Sequence, residues 1–443
     1  MSKRLAIVSS GISGPLNSAV EFAKQAKLVG YEVCVFAPKS SFDLISHFGL
    51  EYGEIPIPKV DAFADLLTAD QFRTFSSNDR LDCAVNALGV NDFSASMSRF
   101  QPDVIFVDCE LHAHIIVGLS LGPPVIQCSS MFLSPPGSQA PPLNKRACPG
   151  VGMRGSRIGI SIIWMSFLIW KLKKILRNKF KHQGADFTSA LLELARRYNV
   201  PIARIRRLIC WQMPWTYKIP TVLFLPQSVD LPTRPYSDFS YLGAMVIQDR
   251  PEKPHDREKV RRFCSGQGTK KHIFVGFGTM MKPKSDLLVN LWEVASKHPE
   301  WQFLFAAGQN WEDGGSCDYP RNVDVVAWVP QHQVLKHAHL AIMHGGTGGF
   351  IEAVEAATPV LLYPHVNDQQ GSAARAVFHG IGRAGRHADT VEKIENDIQE
   401  LLTDPKYKKN CKALQASCQQ EKVDGRLAAF LQNVTTQSNQ KFK

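Results

Sequence analysis

The run Leu340-Ala341-Ile342-Met343-His344-Gly345-Gly346-Thr347-Gly348-Gly349-Phe350-Ile351-Glu352 carries the architecture of this chain. Four uninterrupted apolar residues fit a strand buried on both faces of a parallel sheet. The glycines behind them fit a tight turn into a helix beginning near Gly349. Such a turn gathers backbone N–H groups and the positive end of a helix dipole, an arrangement that suits a phosphate. His344 can add a hydrogen bond to that phosphate, and Glu352, one turn into the helix, can accept two hydroxyls of a ribose. The plainer reading is that the glycines only allow close packing.

The same alternation continues on both sides of this run. Strands are expected at Ile273 to Phe277, Gln302 to Ala306, Val323 to Ala327 and Val360 to Tyr363, with helices at Ser285 to Lys297, Gln333 to Ala338 and Gln370 to Phe378. The first third repeats the pattern with strands Leu5 to Val8, Tyr31 to Ala37, Val104 to Val107 and Val125 to Cys128, and with helices Ser18 to Val29 and His114 to Leu121. Strands alternating with helices argue for parallel sheets covered on both faces. The expected fold class is therefore α/β, with two Rossmann-like βαβ domains facing each other across a cleft. The N-terminal domain spans 1–243, with an apolar and basic insertion at about 156–182. A charged, Pro-containing linker occupies 244–271, the second domain 272–405, and a helical tail 406–443.

Composition narrows the class without naming a ligand. The 443 residues are 44% apolar and 21% charged, ordinary for a globular protein, and 51 Lys and Arg against 40 Asp and Glu give +11, which suits an anionic partner. Ten cysteines lie singly with no C-x-x-C pair, as expected of a reduced, cytoplasmic protein. The apolar start at Leu5 is too short for a signal peptide, and Ile158 to Trp170, at thirteen residues, falls short of the roughly 20 that cross a bilayer. That segment is followed by six Lys or Arg within Lys171 to Lys181. An apolar wedge beside a cationic block fits peripheral contact with an anionic membrane; a buried helix with a solvated basic end is the alternative.

Several nucleotide folds are excluded by their missing motifs. The first turn, Gly11-Ile12-Ser13-Gly14-Pro15, is not G-x-G-x-x-G, no acid ends the second strand, and neither a P-loop nor a G-x-S-x-G elbow occurs. Around the glycine run, however, partners for a nucleotide sugar follow in chain order. Gly276-Phe277-Gly278-Thr279 offers N–H groups and a hydroxyl for a phosphate. Trp328-Val329-Pro330-Gln331 offers a flat surface and an amide for a base. Asn367-Asp368-Gln369 offers a carboxylate and an amide for sugar hydroxyls.

The order W-x-P-Q, H-G-G-x-G, E, P-x-x-x-D-Q resembles the donor signature of the family 1 UDP-dependent glycosyltransferases, which have the GT-B fold. The stretch Asn367 to Arg375 is most similar to that of zeaxanthin glucosyltransferases and related enzymes with lipophilic acceptors. The resemblance implies Trp328 on uracil with Gln331 beside it and Glu352 on the ribose. It implies Gly278, Thr279, His344 and the turn Gly345, Gly346, Thr347, Gly348, Gly349 around the phosphates, and Asp368 and Gln369 on the sugar, with Gln369 resembling glucose users. It implies an inverting hexosyltransferase acting from a UDP-hexose, with glucose first, on a hydroxyl of a hydrophobic acceptor such as a carotenoid or other secondary metabolite. No metal or cofactor and no nucleic acid are expected.

Two positions depart from the pattern. Gly348-Gly349 stands where plant members have Asn-Ser. In the acceptor-side loop Ser13, Gly14, Pro15, proline stands where the family places its base histidine, and proline cannot take a proton. Asp108, at the end of a central strand, and His112 and His114 beyond it are the candidate replacements. A non-catalytic binder of nucleotide sugar or lipid, and a nucleotide-sugar epimerase of the same fold, are the alternative functions.

Overall fold

The computed structural model describes residues 3–56, 66–207, 215–234, 236–248, 250, 257–266, 270–278, 286–308, 319–366 and 368–437. Two parallel sheets form its frame. The first contains β1 (Arg4–Val8), β2 (Glu32–Ala37), β3 (Glu51–Glu54), β4 (Val104–Asp108), β5 (Val125–Ser129), β6 (Thr221–Leu223) and β7 (Phe239–Tyr241), in the order 3-2-1-4-5-6-7. The second contains β8 (Lys271–Gly276), β9 (Trp301–Ala306), β10 (Val323–Val326), β11 (Leu340–Met343), β12 (Val360–Leu362) and β13 (Gly382–Ala384), in the order 10-9-8-11-12-13. In both sheets the order reverses beside the first strand, and ligands of such sheets sit at the carboxyl ends of the strands flanking that reversal. These are β1 with β4 and β8 with β11.

The helix expected from Ser18 begins at Ser13. Pro15 falls in its first turn, where an N–H has no partner within the helix, so proline is tolerated there. The first helical bond comes one residue later, from the Leu16 N–H to the Ile12 carbonyl at 2.9 Å.

The domains share one apolar core. Met131, Phe132, Leu133, Leu223 and Tyr241 of the first half pack in the same cluster as Phe274, Val334, Phe350 and Ala373 of the second. Through this core runs a buried ion pair. Arg375 donates from Nε to Asp230 Oδ1 at 3.0 Å and again from its terminal nitrogen, its guanidinium lies 3.8 Å over the Phe132 ring, and Tyr241 donates to Asp230 Oδ2 at 2.6 Å.

The expected linker is more structured than its composition implies. Leu242 and Ala244 to Ile247 are buried, and a helix, Arg257–Ser265, seats Phe263 against the second domain. The tail forms helices Pro405–Val423 and Arg426–Gln437, which return to the first domain. Glu421 accepts the N–H groups of Gln227 and Ser228 at 2.8 and 2.7 Å, and the Tyr31 hydroxyl donates to the Leu431 carbonyl at 2.8 Å.

The insertion is one 25-residue helix, Arg157–Lys181, whose N-cap Ser156 accepts the Gly159 N–H at 3.0 Å. Ile160, Trp164, Phe167 and Lys171 form its buried face, and the Trp164 indole donates to the Ala140 carbonyl at 2.7 Å. Among the described residues no helix is long and apolar enough to cross a membrane.

Candidate active site

The turns after β8 and β11 meet at the second sheet's reversal. Gly278 and Gly345 have φ of +61° and +85°, a region that glycine enters without strain. The His344 ring fills the space beside them: a Cβ on Gly346 would stand 2.7 Å from its Nε2. Its Nδ1 is buried with no hydrogen-bond partner, and burial lowers its pKa, so the ring is neutral near pH 7. A neutral imidazole lining the cavity beside a helix N-terminus can donate an N–H to a phosphate oxygen.

The helix beyond begins at Thr347. Asp368 caps it, its Oδ2 accepting the Thr347 N–H at 3.0 Å and the Thr347 hydroxyl at 2.6 Å. This oxygen, expected on a sugar, is held by the helix instead. One turn on, Glu352 is buried and both of its oxygens are engaged: Gln331 Nε2 donates to Oε2 at 2.9 Å, and the Arg250 guanidinium donates to Oε1. Burial raises the pKa of Glu352 while Arg250 and Gln331 oppose the rise. Gln331, expected at a base edge, is therefore fixed on Glu352. Gly349 permits this, because a Cβ there would lie 2.9 Å from the Gln331 nitrogen. Arg250, within the expected linker, carried no motif and was missed by sequence reasoning.

Across the gap stand the loops of the first sheet. Asp108, at the end of β4, is buried; its Oδ1 accepts the Glu110 N–H at 3.0 Å and its Oδ2 the Ser10 hydroxyl at 3.2 Å. Burial raises its pKa to about 6, against those two bonds. A cavity of about 360 Å³ opens between the halves. Of the expected residues, Ser13, Gly14, Pro15, Gly278, Gln331, His344, Gly346, Thr347, Gly348, Gly349, Glu352 and Asp368 line it, together with Glu110 and Arg250.

Other expected positions lie elsewhere. Thr279 and Asn367 fall outside the described residues. Trp328 is half-buried at the start of the loop before helix Gln331–His337 and does not line the cavity. Gly345 lies behind it, where a Cβ would approach the Gln369 carbonyl at 3.2 Å. Gln369 turns its amide oxygen into its own loop, accepting the His365 and Val366 N–H groups at 2.7 and 3.0 Å.

His112 and His114 are not brought to the cleft. They sit on opposite sides of helix His112–Ser120, which is buried all round from His112 to Gly118, His112 among Phe187, Trp215 and Tyr217, and His114 edge-on to Phe93 at 5.0 Å. Burial lowers their pKa values to about 3 and about 4, and neither side chain lines the cavity. On the first sheet's side the carboxylate facing the cavity is Glu110, two residues past Asp108. Spacing alone could have suggested it, since a residue in the loop after β4 is at the carboxyl edge by construction. Among the described residues no group of three or more His, Cys, Asp or Glu side chains comes together as a metal site requires.

Comparison with known proteins agrees with this geometry. Residues 218–424 match the family described as UDP-glucoronosyl and UDP-glucosyl transferase. Oleandomycin glycosyltransferase of Streptomyces antibioticus is 27% identical over 180 residues, 40% of this chain and 41% of its own length. Zeaxanthin glucosyltransferase of Pantoea ananas is 29% identical over 160 residues, 35% of this chain and 36% of its own length. The chain thus spans well under half the length of these two relatives. The crystal structure of the glycotransferase of kitacinnamycin has the same fold, with a TM-score of 0.67 at 19% identity over 98% of this chain and 99% of that one. Residues 218–424 of the chain are thus similar to the UDP-glucoronosyl and UDP-glucosyl transferases, and its paired sheets have the GT-B fold of the kitacinnamycin structure.

Proposed function

We propose that this protein is an inverting glycosyltransferase that moves a hexose, glucose in the first instance, from a UDP sugar to a hydroxyl of a hydrophobic acceptor. The observation that carries the reading is the convergence of His344, the N-terminus of helix Thr347–Glu355 and Glu352 on one cavity, with the carboxylate Glu110 on its opposite wall. The names of two relatives, an oleandomycin glycosyltransferase and a zeaxanthin glucosyltransferase, support a small-molecule acceptor.

In this reading the diphosphate lies against the helix N-terminus and His344, and the ribose hydroxyls bond to Glu352. Trp328 and Thr279 belong to the base and phosphate ends, and Gln369 shapes the loop that receives the sugar. The acceptor oxygen attacks the anomeric carbon from the face opposite the diphosphate. Its new C–O bond forms as the bond to the phosphate oxygen breaks, and the electron pair leaves on UDP, stabilised by preorganised N–H groups. The acceptor proton passes to the carboxylates at the end of β4, where Glu110 faces the cavity and Asp108 holds the Glu110 backbone in place. Peripheral contact with an anionic membrane belongs to the same reading on the acceptor side.

The test is mass spectrometry of carotenoid, sterol and polyketide alcohols incubated with the protein and UDP-glucose, seeking a hexose mass gain. Product from the wild type, lost with Glu110→Gln, supports the assignment. Tight UDP binding with no product on any acceptor would make the protein a non-catalytic binder, and a rearranged sugar released without acceptor would make it an epimerase.

A further inference from the structure

The helix Arg157–Lys181 has two apolar faces, and only one is used by the fold. Ile160, Trp164, Phe167 and Lys171 form the buried face. At 100° per residue, Ile158, Ile162, Met165, Ile169, Leu172, Leu176 and Phe180 fall within an arc of about 80° on the opposite side, a stripe about 33 Å long. All seven are between 46% and 80% exposed. Single exposed apolar residues are ordinary on a protein surface, but a continuous stripe over about six turns marks an interaction site.

Charge selects the occupant. The helix carries seven Lys and Arg and no Asp or Glu. Lys173 and Lys179 border the stripe on either side, and Lys174 lies 5.4 Å over the half-exposed Trp170 ring. A second copy of the chain would bring the same uncompensated positive charge to the contact. An anionic lipid surface supplies apolar depth for the stripe and counter-charge for its borders, with tryptophan at the boundary. We infer that the outer face of helix Arg157–Lys181 docks this protein in the plane of an anionic membrane. The buried face of the same helix packs with Met131, Phe132 and Leu133, and Met131 lines the cleft. The acceptor side of the cleft is thereby set next to the bilayer. Resting on the transferase reading above, the acceptor class is a hydroxyl-bearing lipid drawn from that bilayer.

Vesicle sedimentation with the full chain tests the docking. Wild-type protein is expected to bind vesicles of phosphatidylcholine and phosphatidylglycerol at least about tenfold better than phosphatidylcholine alone, the order set by several basic residues near the surface. The double variant Ile162→Asp/Ile169→Asp loses binding to both vesicle types. The triple variant Lys173→Gln/Lys174→Gln/Arg177→Gln keeps weak binding but loses the preference for the anionic vesicle. Far-UV circular dichroism and UDP affinity, unchanged in both, show that fold and donor site are intact. Wild-type binding by the folded variants, or no binding by the wild type, overturns the docking. So does a wild-type dimer that the double variant dissolves without any effect on vesicles. If vesicles bind but no hexose appears on an embedded alcohol while a dissolved one is glycosylated, the lipid-acceptor class fails and the docking stands.

Discussion

Glu352 is a buried carboxylate whose two oxygens are already occupied by protein donors, Arg250 and Gln331. In the proposed reading a ribose binds it by replacing or sharing those bonds, which would bring Arg250 into the donor site although it comes from the connector between the sheets. Behind the opposite wall, buried and not lining the cavity, Asp108 has a pKa raised to about 6 by burial. If ionised Asp108 is needed to hold the acceptor-side loop, kcat/KM rises with pH through about 6 and levels above it. Asp108→Asn removes that limb from the pH–rate profile; an unchanged profile would detach Asp108 from the reaction. Gly346→Ala places a Cβ 2.7 Å from His344 Nε2, so the imidazole must shift. That variant is expected to lose donor affinity by roughly tenfold, comparable to one lost hydrogen bond at the site, with little change in thermal stability. Isothermal titration with UDP beside a melting curve separates the two effects.

Most strands with an apolar run are legible in the sequence, and the shortest or most polar edge strands are not. β1, β4, β9 and β11 each carry an unbroken run of four apolar residues, and their expected bounds agree with the structure to within a residue or two. β6, β7 and β13 have only three residues, too few to display a period of two, and β3 reads Glu-Tyr-Gly-Glu, a polar edge strand. The glycine turn after β11 was readable because strand, glycines and helix each require their own residue types. The orientation of a side chain on an apolar helix was not. His112 and His114 sit among apolar neighbours, Ala113, Ile115 and Ile116, so periodicity gave no face to choose, and packing with Phe187, Trp215 and Phe93 decided it. These two residues have a consequence for stability. Their folded pKa values, about 3 and about 4, lie below the ordinary 6.5. The unfolded chain therefore takes up two more protons as pH falls below 6.5, and folded-state stability present above that pH is lost on the way to 4. Asp108 acts in the opposite sense between about 6 and its ordinary 3.8, because its folded form binds a proton first. These three groups alone contribute a slope of one proton, about 1.4 kcal/mol per pH unit. Urea unfolding at pH 6 and pH 4.5 is expected to show this fall, and a His112→Phe/His114→Phe variant to abolish it; an equal fall in that variant would place the acid sensitivity elsewhere.

Across the whole molecule, the two sheets are bound by one apolar core and by the buried pair Arg375 and Asp230, with the tail helices passing back over the first domain. Arg375 closes the same Asp-Gln stretch whose resemblance suggested sugar binding, and its place is between the domains rather than at a ligand. Arg375→Leu leaves Asp230 charged and uncompensated in the core, and is expected to cost about 3 to 5 kcal/mol. Arg375→Leu/Asp230→Leu removes both charges and is expected to recover much of that loss, as denaturant midpoints of the three proteins would show. Fixed in this way, the halves present the carboxyl edges of both sheets to one cavity. The most direct test of that cavity's purpose is titration calorimetry of UDP-glucose with the wild type and Glu352→Ala. Saturable binding by the wild type, weakened by about 1 to 3 kcal/mol in the variant as for a lost charged hydrogen bond, is the predicted result. No heat with UDP-glucose or other nucleotide sugars, or equal affinity in the two proteins, would contradict it.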